Sequence, residues 1–542
     1  MSDMTDNLTM PKTVGPYKVA RALRDAGYQV QVIHHLSVFT IEEILEILQS
    51  VVNENTLFVG FNNFFYFSLD DLQFADDGGV NFTYNKPGGE GAMLPHGKQF
   101  NQLIKQTLKN INPKCKTVLG GPNGSDAVYN NDFDYITLGY ADSSIVDLAN
   151  HLMDPGVPLE SSYHSLYGPV ILTDREAKKY KFVSTPMFYN EEDMILPGET
   201  LVTEISRGCI FKCAFCSYPL NGKKKLDFIK HKEILVQEFL DNYRRFGTTR
   251  YIFSDDTVND SLEKCKMLAD INQQLPFDLQ WWGYIRLDLV AAKPDMLDYL
   301  LESGMKVAFC GIETFNEETG AIIGKGGSRD KLINAVREIK KRKGNKICIT
   351  GSFIHGLPRE SLDSINQTNS FLLSDQNPLD TWLVSPLRIR MDTINKASHG
   401  FLSDIDINYE KYGYKKIFVD SDRWQNISLW ENEHTNFIEM QENVDTLYRK
   451  GKQFNRVKVA GNYAIHAMGM GYAEEKIFNL PQGDVDWNEL DKLKVSRAQQ
   501  YRTMVNKNLH LNLQDIEKHF GTFTAFLKHQ YQIIQKNLSL TH

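Results

Sequence analysis

Between Leu196 and Asp420 one unit recurs: a short apolar strand, a polar loop, a helix, and a closing glycine. Strands that alternate with helices imply parallel pairing, because a parallel neighbour is reached only through a crossover. "EILVQEFLDNYRRF" reads as a helix stopped at Gly247, and "RYIFSDD" as the strand that re-enters the sheet. "SLEKCKMLADINQQ", "PDMLDYLLES" and "SRDKLINAVREIKKRKG" read as later helices, the second with Pro294 in its first turn. They alternate with the strands "LQWWGYIRLDL", "MKVAFCGIET" and "KICITGSFIHGLP". Counted from "LVTEISRGC" to "TWLVSPLRIR", six units predict a partial (β/α)6 barrel of TIM type over residues 196–420, short of a full eight.

Residues 1–155 predict a second α/β unit. "PYKVARALRDAGYQVQVI" reads as helix, glycine, strand; "TIEEILEILQSVV" opens with a capping box from Thr40 to Glu43; "TLFVGFNNFF" is an apolar strand. A polar, glycine-rich insertion runs from about Ser68 to Gly97, and its "GGEGAMLPHGK" reads as a surface loop because no strand leads into it. The helix "KQFNQLIKQTLKNI" and the strands "KTVLGG" and "DYITLG" complete the unit. Residues 156–195 read as a linker, and residues 421–542 as a C-terminal region that is mostly helical.

A chain of 542 residues exceeds one ordinary core, so two or three domains are expected. No apolar run approaches a membrane span, and "MSDMTDNLTMPK" lacks the basic start and apolar stretch of a signal peptide, so a cytoplasmic location is expected. A net charge of -8 gives no indication of nucleic-acid binding, and the local basic stretch "NGKKKLDFIKHK" reads as solvated surface.

Of seven cysteines, three fall within "CIFKCAFC", at Cys209, Cys213 and Cys216, where the first barrel strand ends. Three thiolates on one loop can hold three corners of a cubane iron-sulfur cluster and leave the fourth iron open to a substrate. A structural zinc site would want a fourth ligand, usually as a second short pair, and the sequence offers none. Cys265, Cys310 and Cys348 fall within a predicted helix or strands as small buried residues, and His231 reads as solvent facing.

"CIFKCAFC" matches the signature of the radical S-adenosylmethionine (radical SAM) superfamily, and the resemblance continues through "FSDDTVN", "GYIRLDLV", "FCGIETFNEET" and "GSFIHGLPRES". It implies a 4Fe-4S cluster on Cys209, Cys213 and Cys216, whose open iron chelates SAM. An electron from the cluster then cleaves SAM to methionine and a 5'-deoxyadenosyl radical. By position, Phe215 would pack near the adenine, Ser254 and Asp255 would face the SAM ammonium, and Arg286 would fork onto its carboxylate. Glu313 would accept the ribose hydroxyls, and His355 to Pro358 would line the adenine side. Each has a plainer reading: Asp256 as a helix cap, Arg286 with Asp288 as a surface ion pair, Glu313 as a loop acid. His34, His35, Arg388 and Arg390 are further candidate contacts with substrate or cofactor.

The N-terminal unit resembles the Rossmann-like cobalamin-binding domain that precedes many radical SAM cores. Gly120 and Gly121, at a strand end, would let backbone approach a corrin; "GYAD" stands where the family has "GEGE", and no Asp-x-His-x-x-Gly stretch supplies an axial histidine. The resemblance thus implies three cofactors, the cluster, SAM and cobalamin, and an electron donor such as a flavodoxin or ferredoxin. Three functions follow: a cobalamin-dependent methyltransferase, a hydrogen-abstracting enzyme using the N-terminal unit as scaffold, or a non-catalytic iron-sulfur module. A methylthiotransferase fits less well, since only Cys115 precedes the core. The sequence does not name the substrate.

Overall fold

The computed structural model describes residues 10, 12–62, 72–74, 80–82, 98–121, 133–160, 162–164, 168–174, 177–218, 220–223, 228–391, 402–418, 428–453, 461–477, 486–516 and 518. The loop "GGEGAMLPHG" and part of "NGKKKLDFIKHK" lie outside the described residues.

Two parallel sheets organise the chain. The first contains β1 (Phe58–Asn62), β4 (Lys116–Gly120), β5 (Tyr135–Thr137), β6 (Ser162–His164) and β7 (Val170–Leu172), in the order β1-β4-β5-β7-β6. Only β6 runs antiparallel, against β7. The strands β2 (Leu72–Phe74) and β3 (Val80–Phe82) form a separate hairpin within the insertion. The second sheet holds β8 (Leu201–Thr203), β9 (Arg250–Phe253), β10 (Gln280–Ile285), β11 (Met305–Glu313), β12 (Cys348–His355) and β13 (Thr381–Pro386). All six are parallel and adjacent in sequence order, as six strand-helix units require.

The helices between them begin and end on the residues their chemistry favours. Ser261 caps Leu262–Gln274 by accepting from the Lys264 amide, and Gly247 ends Lys232–Phe246 at φ 68, a left-handed conformation that costs glycine little. One face of the second sheet packs on these helices: the ring of Phe239, on Lys232–Phe246, stands 4.7 Å from that of Tyr251 and 6.4 Å from that of Phe253.

The opposite face is filled from the C-terminal region. Val202, Ile252, Trp282, Val307 and Cys348 stand in matching register on five neighbouring strands. They pack against Ala464, Ile465, Ala467 and Met468 of the helix Gly461–Met470. Gly469 is confined by this fit, since a Cβ there would sit 2.4 Å from Thr200 Oγ1. The helix therefore closes the strand-start end of the sheet and leaves the strand-end side for chemistry.

Three expectations are corrected. "QVQVI" forms no strand: Arg24 Nη2 donates to the Val30 carbonyl and the His34 amide donates to Tyr501 Oη, using groups a ladder would need. The expected linker of residues 156–195 contributes β6 and β7 to the N-terminal sheet. The region after residue 420 is divided among the cores. Its first described part, β15 (Leu429–Glu431), pairs antiparallel with β14 (Lys415–Ile417). Helix Phe437–Gln453 then packs on β13, and Trp487–Leu509 lies against the N-terminal unit through Val495, Ala498, Tyr501 and Val505. Among the described residues no helix is long and apolar enough to cross a membrane.

Arg502 fastens that last helix. It is buried and donates to Glu43 Oε2 at 2.7 Å, to the Val38 carbonyl at 2.7 Å and, through Nε, to the Gln514 carbonyl at 3.0 Å. Glu43→Ala leaves this guanidinium buried without its counter-ion and is expected to cost about 3–5 kcal/mol. Urea unfolding followed by circular dichroism checks this, and a loss under about 0.5 kcal/mol would match an ordinary surface change instead.

Candidate functional site

The cysteine loop leaves β8 and is stitched down along its length. Cys209 and Lys223 exchange bonds with the opposite strand of the loop, the Cys209 amide donating to the Leu220 carbonyl at 3.1 Å and the Lys223 amide to the Cys209 carbonyl at 3.0 Å. The Ala214 amide reaches the Ile323 carbonyl at 2.9 Å, and the Ile405 amide reaches the Ala214 carbonyl at 2.9 Å. Gly208, at φ 89, has no room for a side chain: a Cβ would lie 2.5 Å from the Leu220 carbonyl oxygen.

Asp255 anchors the start of this loop. Its Oδ2 accepts from the Ile205 amide at 2.8 Å, and its Oδ1 accepts from Ser206 Oγ and from Lys264 Nζ at 2.9 Å. Neither side chain of the Asp255–Lys264 pair is solvent exposed. The carboxylate is spent on the fold, which corrects its expected place at the SAM ammonium. Ser254 is exposed at the strand end, its Oγ 3.2 Å from the Thr203 carbonyl. Asp256, read from sequence as a cap, does not cap the following helix, since Ser261 does. Its Oδ2 is buried without a hydrogen-bond partner, and burial together with Asp255 pushes its pKa up to about 7. Tyr140, Tyr218 and Tyr284 all lie within its electrostatic reach.

The thiols of Cys209 and Cys213 have separate surroundings. Cys209 Sγ lies 3.4 Å from Thr257 Oγ1; Cys213 Sγ lies 3.5 Å from Arg286 Nη1 and 3.7 Å from the Gly324 carbonyl. Burial raises the thiol of Cys209 and pushes that of Cys216 up to about 11, so a metal must displace protons to bind. Among the described residues no three ligating side chains converge on a single ion. A cubane asks for a different arrangement, one thiolate per iron. The donor set fits it: three thiols on one loop, a cation beside one sulfur, and Gly324 at the wall, where a Cβ would stand 3.5 Å from Cys213 Cα.

Arg286 is buried, not a surface residue. Its backbone is locked by Asn259, whose Oδ1 accepts from the Arg286 amide at 2.8 Å. Its side chain lies 3.8 Å from the Phe211 ring centroid and donates to Asp288 at 3.1 and 2.6 Å. Glu313 ends β11 at a bulge with φ 69, an αL conformation that costs a non-glycine residue roughly 1–2 kcal/mol. Its Oε1 is 3.5 Å from Lys325 Nζ, and burial raises its pKa. Gly311 makes the turn possible, because a Cβ there would sit 2.5 Å from Glu313 Oε1. Phe215 is half-buried against the cluster that contains Leu357 and Ile323.

Other expected contacts lie elsewhere. The His355 imidazole is buried beside Asn443 of the helix Phe437–Gln453, on the helix-covered side of β12 that also carries Phe353, and not on the side expected to line the adenine. His34 and His35 are buried at the strand-start end, in a polar knot with Lys12 and Glu199, whose ion pair measures 3.0 Å. Burial opposes the Glu199 charge, but Lys12 and His35 hold its pKa near 2. Arg388 and Arg390 are exposed just beyond β13. Gly120 and Gly121 end β4: a Cβ on Gly120 would lie 2.6 Å from Thr137 Oγ1, and Gly121 has φ 118. Sequence reasoning missed Arg207, Asn259, Lys264 and Lys325. The clue for Lys264 was a lysine on the apolar side of its helix.

Residues 203–372 match the family model of the radical SAM superfamily. The chain therefore carries a radical SAM domain, the domain of a superfamily whose cofactors are a 4Fe-4S cluster and SAM. An uncharacterized methyltransferase of Pyrococcus horikoshii is 25% identical over 295 residues, 49% of this chain and 60% of the relative, so the chain spans less than two thirds of that protein. In overall fold the chain is similar to TsrM from Kitasatospora setae, a radical SAM methyltransferase solved with tryptophan substrate and a SAM analogue. The TM-score is 0.60 at 13% identity, over 92% of this chain and 98% of TsrM. It is also similar to OxsB, a cobalamin-dependent SAM radical enzyme solved with aqua-cobalamin, with a TM-score of 0.54 at 13% identity over 98% of this chain and 83% of OxsB.

Burial lowers His35 and His355 to about 4 and His466 to about 3, below the ordinary 6.5. Unfolded histidines bind protons first, so stability is full above about pH 6.5 and falls as pH drops towards the folded values. Melting temperature measured from pH 7 to 4.5 is expected to decline, with a shallower decline in His466→Leu. A flat profile would contradict the buried neutral state.

Proposed function

We propose that the protein is a cobalamin-dependent radical SAM methyltransferase, its corrin lodged between the N-terminal sheet and the cysteine loop. One observation carries this reading. Asp142, in the loop after β5, holds Arg207 of the cysteine loop with two bonds of 2.8 and 3.0 Å, so the strand ends of both parallel sheets meet there. Ligands of open α/β sheets bind beyond the carboxyl ends of the strands, where β4 ends at Gly120 and the chain turns at Gly121. The likeness to TsrM and OxsB covers both units, which supports the same pairing.

Within that reading Cys209, Cys213 and Cys216 hold the cluster, and Asp256 with Ser254 takes the SAM ammonium in place of Asp255. The Nη1 edge of Arg286, already beside Cys213, serves the carboxylate while Asp288 holds the other edge. Glu313 accepts from the ribose, and Phe215 packs by the adenine. When bound, the cluster and SAM supply electron transfer and a methyl source, and the corrin supplies a methyl carrier. The chain's own residues orient them and exclude water. The electron is expected from a small carrier such as a flavodoxin or ferredoxin.

Two outcomes test the assignment. Asp256→Asn is expected to weaken SAM binding about ten- to a hundredfold in cluster-loaded protein, the worth of a hydrogen bond to a charged group, whereas Asp255→Ala mainly lowers the melting temperature. Equal SAM affinity in Asp256→Asn would remove it from the site. Equilibrium dialysis of cluster-loaded protein against hydroxocobalamin is expected to show stoichiometric retention, lost in Gly121→Trp with the cluster intact. No retention by the unaltered protein would overturn the methyltransferase reading and leave hydrogen abstraction.

A further inference from the structure

Arg207 lies two residues before the first cysteine and is 3% exposed. Its Nε and Nη2 donate to Glu204 Oε1 and Oε2 at 3.1 and 3.0 Å, and its Nη1 and Nη2 donate to Asp142 Oδ2 and Oδ1 at 2.8 and 3.0 Å. Both edges of one guanidinium are thus forked onto carboxylates, one just after β8 and one in the loop after β5 of the N-terminal unit. The rings of Tyr140 and Phe182 stand 4.4 and 4.5 Å from its centre. Lys18, on the helix Gly15–Asp25, completes the charge balance at 3.0 Å from Glu204. Burial opposes the Glu204 charge, yet Arg207 and Lys18 keep its pKa near 2.

The placement is specific. Glu204, three residues away, would suffice to neutralise Arg207; the second fork spends a buried carboxylate from the other unit. Buried ion networks are a poor source of stability, and their best-attested use is to fix register. The residue after Arg207 is Gly208 at φ 89, where the chain turns into the cysteines. Gly208 is itself packed against Leu220 and Lys223, so a change in the angle of Arg207 is passed on to Cys209.

We propose that Arg207 is a positioning residue, which with Asp142 and Tyr140 sets where the three cysteines stand relative to the N-terminal unit. "GYAD" thereby acquires a structural role, since Tyr140 and Asp142 are the N-terminal unit's half of the latch. Arg207 touches no reacting atom; it acts through the loop. The proposal rests on the reading of that loop as the cluster site.

The test compares Arg207→Lys, which keeps the charge but loses the fork, with Asp142→Asn and the double variant, all in the full-length chain. In metal-free protein, iodoacetamide alkylation mapped by mass spectrometry is expected to modify Cys209, Cys213 and Cys216 about tenfold faster in each single variant. Cys265, Cys310 and Cys348 should stay protected, and the double variant should add little, because the two residues share one link. After reconstitution, iron content should match the unaltered protein while SAM affinity falls about fivefold. Loop thiols alkylating at the unaltered rate, or loop and core thiols accelerating together, would overturn the proposal, the second because it marks general loosening. Failure of the unaltered protein to take up iron would instead strike the cluster reading, and the alkylation rates would still decide the latch.

Discussion

A carboxylate and an ammonium with no solvent exposure, Asp255 and Lys264, hold the cysteine loop to the six-stranded sheet. Asp255 gathers the Ile205 amide and Ser206 hydroxyl, while Lys264 adds Ser206 Oγ at 2.6 Å and the Thr257 carbonyl at 3.0 Å. Desolvating such a pair costs several kcal/mol per ion, repaid only if every lone pair and proton is used. Lys264 places all three of its protons, and the pair does more than stabilise. It joins β8, β9 and the helix Leu262–Gln274 at the point where the chain turns towards the thiols, and it leaves Asp256, the next residue, as the carboxyl with spare capacity.

The rest of the rim follows from that anchor. Arg286 is held by Asn259 and Asp288 under Cys213, and Glu313 is forced by its bulge to face Lys325. Arg286 and Glu313 thus each have a protein partner at the strand ends, so a ligand arriving there finds preset positions instead of flexible chains. The opposite end of the sheet is closed by a helix from the C-terminal region, which explains why the chemistry-bearing residues gather at one end only.

The six parallel strands and the loop that carries the three cysteines were legible because their signals are local. Strand-helix alternation, Ser261, Pro294 and Gly247 act within a few residues, and three thiols on one loop need no distant partner. What escaped depends on long-range competition. Val30 and Val32 alternate like a strand, but Arg24 and Tyr501 claim neighbouring backbone groups. Ser162–His164 and Val170–Leu172 are too short to stand out from a linker until β5 supplies a pairing edge. Which of two adjacent aspartates is spent on the fold depends on Lys264, nine residues away and on another element. His355 follows the same pattern: the strand was expected, but the side it faces was set by helix Phe437–Gln453.

The central claim is that this loop presents a cluster with an iron open to SAM. Electron paramagnetic resonance of the anaerobically reconstituted, reduced protein, recorded before and after addition of SAM, addresses it directly. The account predicts the signal of a reduced 4Fe-4S cluster whose g values shift when SAM is added, and its disappearance in Cys213→Ala. A spectrum unchanged by SAM, or zinc bound stoichiometrically in place of iron, would contradict it.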